Sequence, residues 1–218
     1  MTVTRLTQLL IGLIVTTAPF PAAAIGGEQA GASRMTASTQ AAIEKAAHAL
    51  DLSPAIFVEN QGQWDKDVCY GFDGRGVRVS FTDSGPVFQM LRDATKEGQL
   101  SQAVFSASFV GARRVRPRGL DPSETKVNYY SGNDPSKWHS GVPSFKKVVY
   151  KGLYEGVDLH TWGRHSGLKY EFHVAPGADW RQIVVRYEGI EGLSIDEKGA
   201  LHVKTSLGEM VDDAPVVY

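Results

Sequence analysis

Short apolar runs alternate with turn-forming residues along most of this chain, and the alternation is densest over residues 127–187. Breaks that each contain a glycine fall at residues 131–135, 140–143, 154–156 and 175–179. The runs between these breaks are rich in Val, Tyr, Phe and Leu, and they are too short for typical helices. Several short strands at this spacing predict a mainly β fold, an antiparallel β-sandwich-like domain.

One hairpin can be aligned from the sequence, because a one-residue slip in strand pairing would turn a whole apolar face outward. Residues 157–162 and 168–174 alternate apolar and polar positions, and the register that joins their apolar faces pairs Leu159 with Phe172. The same register predicts a four-residue turn at residues 164–167. It also predicts three further cross-strand pairs, Asp158–His173, His160–Glu171 and Trp162–Lys169.

The polar face of this hairpin carries the best candidate chemistry in the chain. Its four candidate residues are Asp158, His160, Glu171 and His173. Imidazole nitrogens and carboxylate oxygens are ligands that zinc accepts, so the face could hold a metal ion and support hydrolysis. The simpler interpretation is a set of exposed cross-strand pairs, each contributing roughly 0.2–1 kcal/mol to stability.

A second candidate surface consists of tryptophans that lie beside predicted turns or on the polar face of the hairpin: Trp138, Trp162 and Trp180. Aromatic rings exposed on one face can stack on sugars, and the domain would then be a carbohydrate-binding module that takes a glycan. The alternative is that these amphipathic rings pack at the rim of the domain.

The composition narrows the possible functions. Lys plus Arg is 23 and Asp plus Glu is 24, so the net charge of −1 predicts no general attraction to nucleic acid. The run RRVRPR at residues 113–118 is either a solvated loop or a local polyanion site. The single cysteine, Cys69, excludes an internal disulfide and is predicted to be a buried core residue. No P-loop, dinucleotide fingerprint, nucleophile elbow or HExxH motif occurs, so we predict no cofactor and no catalytic residue.

The start of the chain is typical of a secretory signal peptide, because Arg5 is followed by an apolar run and then by three alanines. We therefore expect a signal peptide at residues 1–24, a leader with one short N-terminal helix within residues 25–54, and a β domain over residues 55–218. Such a protein would be secreted, periplasmic or on the cell surface. No later stretch is long and apolar enough for a transmembrane helix.

Four stretches together resemble a known family. They are FVENQGQW at residues 57–64, residues 127–163, residues 168–189, and APVVY at residues 214–218. In this order they resemble the N-terminal domain of unknown function of bacterial β-propeller-repeat (SBBP-type) surface proteins. The resemblance covers residues 56–218. It implies a secreted, β-rich surface module and supplies no catalytic residue.

Three functions remain open at this point. The first is a non-catalytic exported surface module for assembly, display or adhesion, with a protein partner or a downstream domain at the exposed edge of the last strand. The alternatives are a carbohydrate-binding module and a metal-dependent hydrolase that uses the polar face of the hairpin. The opening motif FVENQGQW is expected to be structural, since Asn and Gln side chains can satisfy the backbone groups of a turn.

Overall fold

The computed structural model describes residues 55–74, 76–92, 101–164 and 167–217. The predicted signal peptide, the leader and its helix lie outside these residues. The strands are β1 (Phe57–Glu59), β2 (Tyr70–Gly74), β3 (Val77–Thr82), β4 (Gly85–Arg92), β5 (Ser101–Phe109), β6 (Arg118–Pro122), β7 (Val127–Tyr129), β8 (His139–Val142), β9 (Ser144–Tyr154), β10 (Val157–Arg164), β11 (Gly167–Val174), β12 (Val185–Glu188), β13 (Gly192–Ile195), β14 (Leu201–Thr205) and β15 (Gly208–Asp212). Two single-turn 3₁₀ helices cover Pro135–Lys137 and Trp180–Gln182. None of the helices in these ranges has the length and apolar character needed to cross a bilayer.

Ten of the strands form one antiparallel sheet that curls into a half-barrel. Its strands follow the order β11-β10-β9-β1-β2-β3-β4-β5-β12, and β6 also pairs with β9. Two smaller sheets accompany it, β13-β14-β15 and the β7-β8 hairpin. The prediction of a mainly β, antiparallel fold is therefore confirmed. The apolar faces of the strands meet across the curl of one large sheet.

The long strand β9 holds neighbouring parts of this sheet together. Val148 and Val149 pair with β10 and also with β6, so β10 and β6 lie on opposite edges of β9 at this point. The first residues of β9 pair with β1. Tyr150 is completely buried, and its hydroxyl donates to the backbone carbonyl of Thr82 at 2.8 Å. A buried tyrosine hydroxyl needs such a partner, so this bond links β9 to the end of β3.

The hairpin predicted from the sequence is confirmed, and two further hairpins accompany it. The β10–β11 pair has the predicted register, with Leu159 opposite Phe172, and β2–β3 and β13–β14 also form. The β10–β11 ladder continues as far as Arg164 and Gly167, which pair with each other. The chain therefore turns at the predicted residues 164–167, but the loop between the paired ends is two residues long instead of the predicted four.

Two strands, β6 and β8, were not predicted from the sequence. Residues 118–122 form β6 beside β9. The break predicted at residues 140–143 falls largely within β8, where Gly141 has a φ of +69° and donates its N–H to the Asn128 side chain at 2.7 Å. Glycine adopts this conformation without steric cost. The glycine therefore marks an irregular strand, not the end of one.

The core lies inside the half-barrel and is mainly aromatic. The ring centroid of Phe57 is 5.3 Å from that of Phe72 and 5.4 Å from that of Phe81. The rings of Phe88 and Phe105 stack with centroids 4.8 Å apart. These five buried residues come one each from β1 to β5. Each contributes roughly 1.5–3 kcal/mol by leaving water, so this cluster holds the first five strands together.

The small β13–β15 sheet packs on the same core. Val203 and Met210 are buried and join the core cluster. The Thr205 hydroxyl also contacts the Met90 sulfur at 3.5 Å, which ties β14 to β4. Cys69 is another core member at 3% exposure, as predicted, and burial raises the pKa of its thiol. The C-terminal strands are therefore part of the same folded unit as the half-barrel.

Candidate functional site

The β10–β11 register brings the polar candidates onto one face, and the first of them, Asp158, has a structural partner there. The pairing of β9 with β10 shifts between Val157 and Leu159, opposite Gly152, whose φ is +66°. Asp158 Oδ1 accepts the Gly152 N–H at 2.6 Å. A bulge leaves a backbone N–H without a ladder partner, and a poorly solvated donor needs an acceptor. The Asp158 carboxylate therefore completes the bulge.

Glu171 forms a buried ion pair. Its side chain and that of Lys169 are 6% and 5% exposed, and Lys169 Nζ lies 3.4 Å from Glu171 Oε1. His173 Nε2 lies 3.2 Å from the other carboxylate oxygen. The Lys169 ammonium also lies 5.1 Å from the ring centroid of Trp162. The interpretation of this face as fully exposed cross-strand pairs is wrong for Lys169 and Glu171. Their charged groups are shielded from solvent, and each one compensates the buried charge of the other.

The two histidines stack on each other. The ring centroids of His160 and His173 are 3.9 Å apart, with only 8° between the ring planes. Burial and the neighbouring His173 lower the pKa of His160, so its neutral form is favoured.

Stacked imidazoles cannot share a metal ion in this conformation. A metal lies close to the plane of each imidazole that binds it, at roughly 2.0–2.1 Å from the nitrogen, and parallel planes this far apart do not meet at one point. Across the ranges described above, no group of three His, Cys, Asp or Glu side chains has a metal-binding arrangement. A zinc site on this face would require at least one ring to turn.

The opening motif is a turn held by its own amide side chain. Asn60 Nδ2 donates to the carbonyls of Asp65 and Val68 at 2.7 and 2.8 Å, and to that of Trp64 at 3.4 Å. Asn60 Oδ1 accepts the N–H groups of Gly62 and Trp64 at 3.0 and 3.2 Å. One side chain thus replaces the backbone partners that a regular element would supply. The motif is structural, as predicted.

The part of the chain that contains these features matches one family model. The match covers residues 57–218, and the family is described as a domain of unknown function, DUF7948. The chain belongs to the DUF7948 family. No curated protein and no solved structure matches it. The matched residues include every strand described above, so the half-barrel with its small C-terminal sheet is the fold of this DUF7948 domain.

The three candidate tryptophans of the DUF7948 domain lie on separate elements. Trp138 is 42% exposed in the β7–β8 hairpin, and its ring packs edge-on against that of the exposed Tyr130 with centroids 5.4 Å apart. Trp180 is 60% exposed, beside the Arg181 guanidinium. Trp162 is half-buried on β10. In the parts of the chain that the structure describes, no ring contact joins any two of the three.

A buried acid that sequence reasoning missed lies where β15 meets the main sheet. Asp212 is 3% exposed, and its Oδ2 accepts the Tyr170 hydroxyl at 3.0 Å. Its Oδ1 is buried without a hydrogen-bond partner in the described structure. Burial raises the pKa of Asp212 to about 8, and the neighbouring Asp213 adds a smaller increase. The hydrogen bond from Tyr170 acts in the opposite direction and lowers the pKa. The one sequence signal was the alternation from the core residue Met210, which places Asp212 on the buried side of β15.

The interior of the half-barrel offers little room for a ligand. An apolar cavity of about 40 Å³ lies among aromatic and aliphatic side chains of β3–β5 and β9–β12, including Phe81, Tyr150 and Tyr187. A space of this size accommodates a water molecule or two, and its lining has few polar groups to bind one. This cavity of the DUF7948 domain is therefore too small for an organic ligand.

Proposed function

We propose that this DUF7948 domain is a non-catalytic, exported surface module that acts in assembly, display or adhesion. The signal-like residues 1–24 support export. The motif order, from the opening turn to the closing APVVY, supports the context of a β-propeller-repeat surface protein. The geometry supports a non-catalytic role, because Asp158 completes a bulge and Glu171 balances a buried lysine.

The observation that carries this proposal is an apolar overhang at β13. Leu193 lies opposite Val203, and Ile195 lies opposite Leu201, so both share the face of the small sheet that carries buried Val203. Yet Leu193 is 50% exposed and Ile195 is 71% exposed. The apolar face of this sheet therefore extends beyond the core that covers its centre. Apolar surface on an edge strand is a common way for a chain to receive another protein strand or domain.

The test is to express the full chain in a bacterial host and to determine where the chain is located. We expect cleavage before Ile25, detected by N-terminal sequencing, and accessibility of the domain to protease added outside the cells. Ile195→Lys should release the chain from its cell-surface complex, because a charge on the overhang cannot be buried against a partner. Val104→Lys is the control, since Val104 is also an exposed β-branched residue, on another strand. Retention of the chain inside the cell, or equal release of both variants, would contradict the proposal.

A carbohydrate-binding module is the second candidate, and the exposed pair of Tyr130 and Trp138 favours it. The Trp138 indole N–H donates to the Gly132 carbonyl at 3.2 Å, and Ser140 donates to the Tyr130 hydroxyl at 3.2 Å, so both rings are held in place. A rigid exposed ring costs little ordering entropy when a sugar stacks on it. A glycan array with the mature chain, run with and without EDTA, tests this function.

The array separates the remaining possibilities. Binding that survives EDTA and is lost in Trp138→Ala, but kept in Trp180→Ala, would support the β7–β8 hairpin as the sugar site. Binding that EDTA abolishes, together with loss in His160→Ala, would redirect attention to a metal-dependent function of the β10–β11 hairpin. If the array shows no binding of any glycan, the carbohydrate-binding function no longer stands as an alternative to the assembly role.

A further inference from the structure

A polar pocket of about 520 Å³ opens on the surface of the DUF7948 domain, and none of its lining residues belongs to the β10–β11 hairpin. Three segments contribute to its lining: the turn at residues 66–69, the turn between β3 and β4, and residues 113–118, which we call the arginine segment and of which Arg114 and Arg116 line the pocket. Pockets of about 300–1,000 Å³ hold small organic ligands. This one is large enough for one or two sugar rings.

Two of the segments that line the pocket are held in place by hydrogen bonds from residues outside the pocket. The Asn60 amide holds the first turn through the carbonyls of Asp65 and Val68. The hydroxyl of the buried Tyr150 holds the second turn through the Thr82 carbonyl. Loops positioned in this way lose little conformational freedom when a ligand binds, so the pocket is pre-organised. The opening motif of the domain therefore also shapes a surface site.

The arginine segment forms the third wall and presents its charges in a row. Arg114, Arg116 and Arg118 are exposed, whereas Val115 is half-buried and Pro117 is buried. This alternation is that of an extended chain, in which every second side chain lies on the same side, about 6.6 Å from the next. The segment is anchored at its start by the bond from the Arg113 N–H to a carbonyl of β9 at 2.9 Å. The backbone that carries these arginines is therefore anchored to β9 at its start.

The charges around the pocket are mixed, and part of the positive charge has no carboxylate partner among the described residues. Arg114 Nη2 lies 3.2 Å from Asp83 Oδ1 and 3.2 Å from the Ser84 hydroxyl. Within the described part of the chain, no carboxylate lies within 4.0 Å of the charged nitrogens of Arg116 or Lys66. As far as the described residues show, the two cations of Arg116 and Lys66 are free to bind an external anion, next to hydroxyl and carboxylate groups.

We propose that this pocket binds an acidic sugar of the uronic-acid type. The guanidinium of Arg116 and the ammonium of Lys66 bind the sugar carboxylate, since a guanidinium fork matches the two carboxylate oxygens. The Asp67 carboxylate accepts hydrogen bonds from sugar hydroxyls. Arg118, further along the segment, contacts the next acidic unit of a longer chain.

The mixed lining favours an acidic sugar over a phosphate or a nucleic acid. Asp67 and Asp83 would repel a doubly charged phosphate, whereas sugar hydroxyls can donate to them. The residues that line the pocket include no aromatic ring on which a base could stack. The net charge of the chain, −1, also gives no long-range attraction to a nucleic acid.

The test is calorimetric titration of the purified mature chain with trigalacturonate. Its methyl-esterified form is the matched ligand, because it keeps the rings and hydroxyls and loses the charge. We expect the ester to bind at least about tenfold more weakly, and the affinity for the acid to fall as salt rises. Arg116→Ala should weaken binding of the acid by about tenfold or more, the cost of losing a charge-assisted hydrogen bond. Lys66→Ala should weaken it in the same direction.

Two controls separate this site from the others on the domain. Arg186→Ala removes an exposed arginine of β12 that does not line the pocket, and it should leave binding unchanged. Trp138→Ala should also leave it unchanged, since that ring lies on the β7–β8 hairpin. The titration requires neither export nor the β13 overhang, so this proposal can fail while the surface-module proposal stands.

Three outcomes would overturn the acidic-sugar site. The first is absence of binding by any acidic oligosaccharide at millimolar concentration. The second is equal binding of the acid and its ester. The third is tighter binding of a single-stranded oligonucleotide or of inorganic phosphate that Arg116→Ala abolishes, because the pocket would then be a phosphate site. Circular dichroism of each variant checks that the fold is intact.

Discussion

The buried carboxyl of Asp212 makes a sharp prediction about stability and pH. Its pKa is about 8 in the folded chain, against an ordinary value of 3.8. Between these values the folded state keeps a proton that the unfolded state releases. The folded state therefore binds more protons, and the free energy of unfolding falls as pH rises. The stabilisation is fully present below pH 3.8 and is lost by about pH 8.

The magnitude follows from the size of the shift. Each pH unit inside this window lowers the free energy of unfolding by about 1.4 kcal/mol, so the contribution between about pH 4 and about pH 7 is roughly 4 kcal/mol. Asp212→Asn removes the ionisation and keeps an oxygen that can accept from the Tyr170 hydroxyl. The variant should therefore match the parent near pH 4 and exceed its stability by roughly 4 kcal/mol near pH 7.

The assay is urea unfolding followed by circular dichroism, for parent and variant, at several pH values across the window. The difference between the two proteins isolates Asp212 from the other titrating groups. Asp213→Asn is the matched control, because Asp213 is the exposed neighbour in the sequence and its change should shift stability by less than about 0.5 kcal/mol at every pH. If parent and Asp212→Asn show the same pH dependence, Asp212 is not held neutral by burial and the reasoning is refuted.

Three further substitutions test packing and hydrogen bonding by the same unfolding assay. Asn60→Ala should cost about 2–3 kcal/mol, because five hydrogen bonds of the opening turn are lost and water replaces part of them. Lys169→Met should lower the free energy of unfolding by about 3–5 kcal/mol, because the buried Glu171 carboxylate loses its lysine partner. Adding Glu171→Leu should recover much of that lost stability. Gly85→Ala should cost about 3 kcal/mol or more, because its φ is +127° and the new Cβ would lie 2.3 Å from a backbone oxygen of β5.

Matched controls accompany these substitutions. Asn128→Ala removes one exposed hydrogen bond and should cost under about 1 kcal/mol, so an equal loss in Asn60→Ala would contradict the role of the opening turn. Gly111→Ala also changes a glycine with positive φ, but nothing lies within 4 Å of its new Cβ. It should therefore cost much less than Gly85→Ala. A double variant at Lys169 and Glu171 no more stable than Lys169→Met would argue against the buried ion pair.

Much of the local strand structure could be predicted from the sequence, and the reason is physical. Side chains of a strand alternate between two faces, so the apolar positions of residues 157–174 admit few registers, and Leu159 indeed pairs with Phe172. The opening motif was equally readable, because an Asn side chain next to a tight polar turn has few partners besides that turn. These predictions used only residues close together along the chain.

Segments whose structure depends on a distant partner were missed. Residues 118–122 end in a proline and follow another, which argues against a strand, yet pairing with β9 makes them β6. Lys169 and Glu171 occupy the polar positions of a readable hairpin, so the sequence predicted exposure. Their burial depends on how the whole chain packs around β11, which no local pattern contains.

For the β10–β11 hairpin, the sequence by itself determined which residues form strands, which apolar side chains face inward, and how the two strands align. These properties follow from the two-residue period of a strand and from turn chemistry, both of which act over a few residues. Only the tertiary structure decided the order of strands in the half-barrel, the burial of Asp212 beside Tyr170, and the meeting of the arginine segment with the turn after Thr82. The pairings of β1 with β9 and of β5 with β12, the Asp212–Tyr170 bond and the Arg114–Asp83 ion pair each join residues more than thirty positions apart. Burial, pKa and site geometry therefore depend on contacts that exist only in the folded chain.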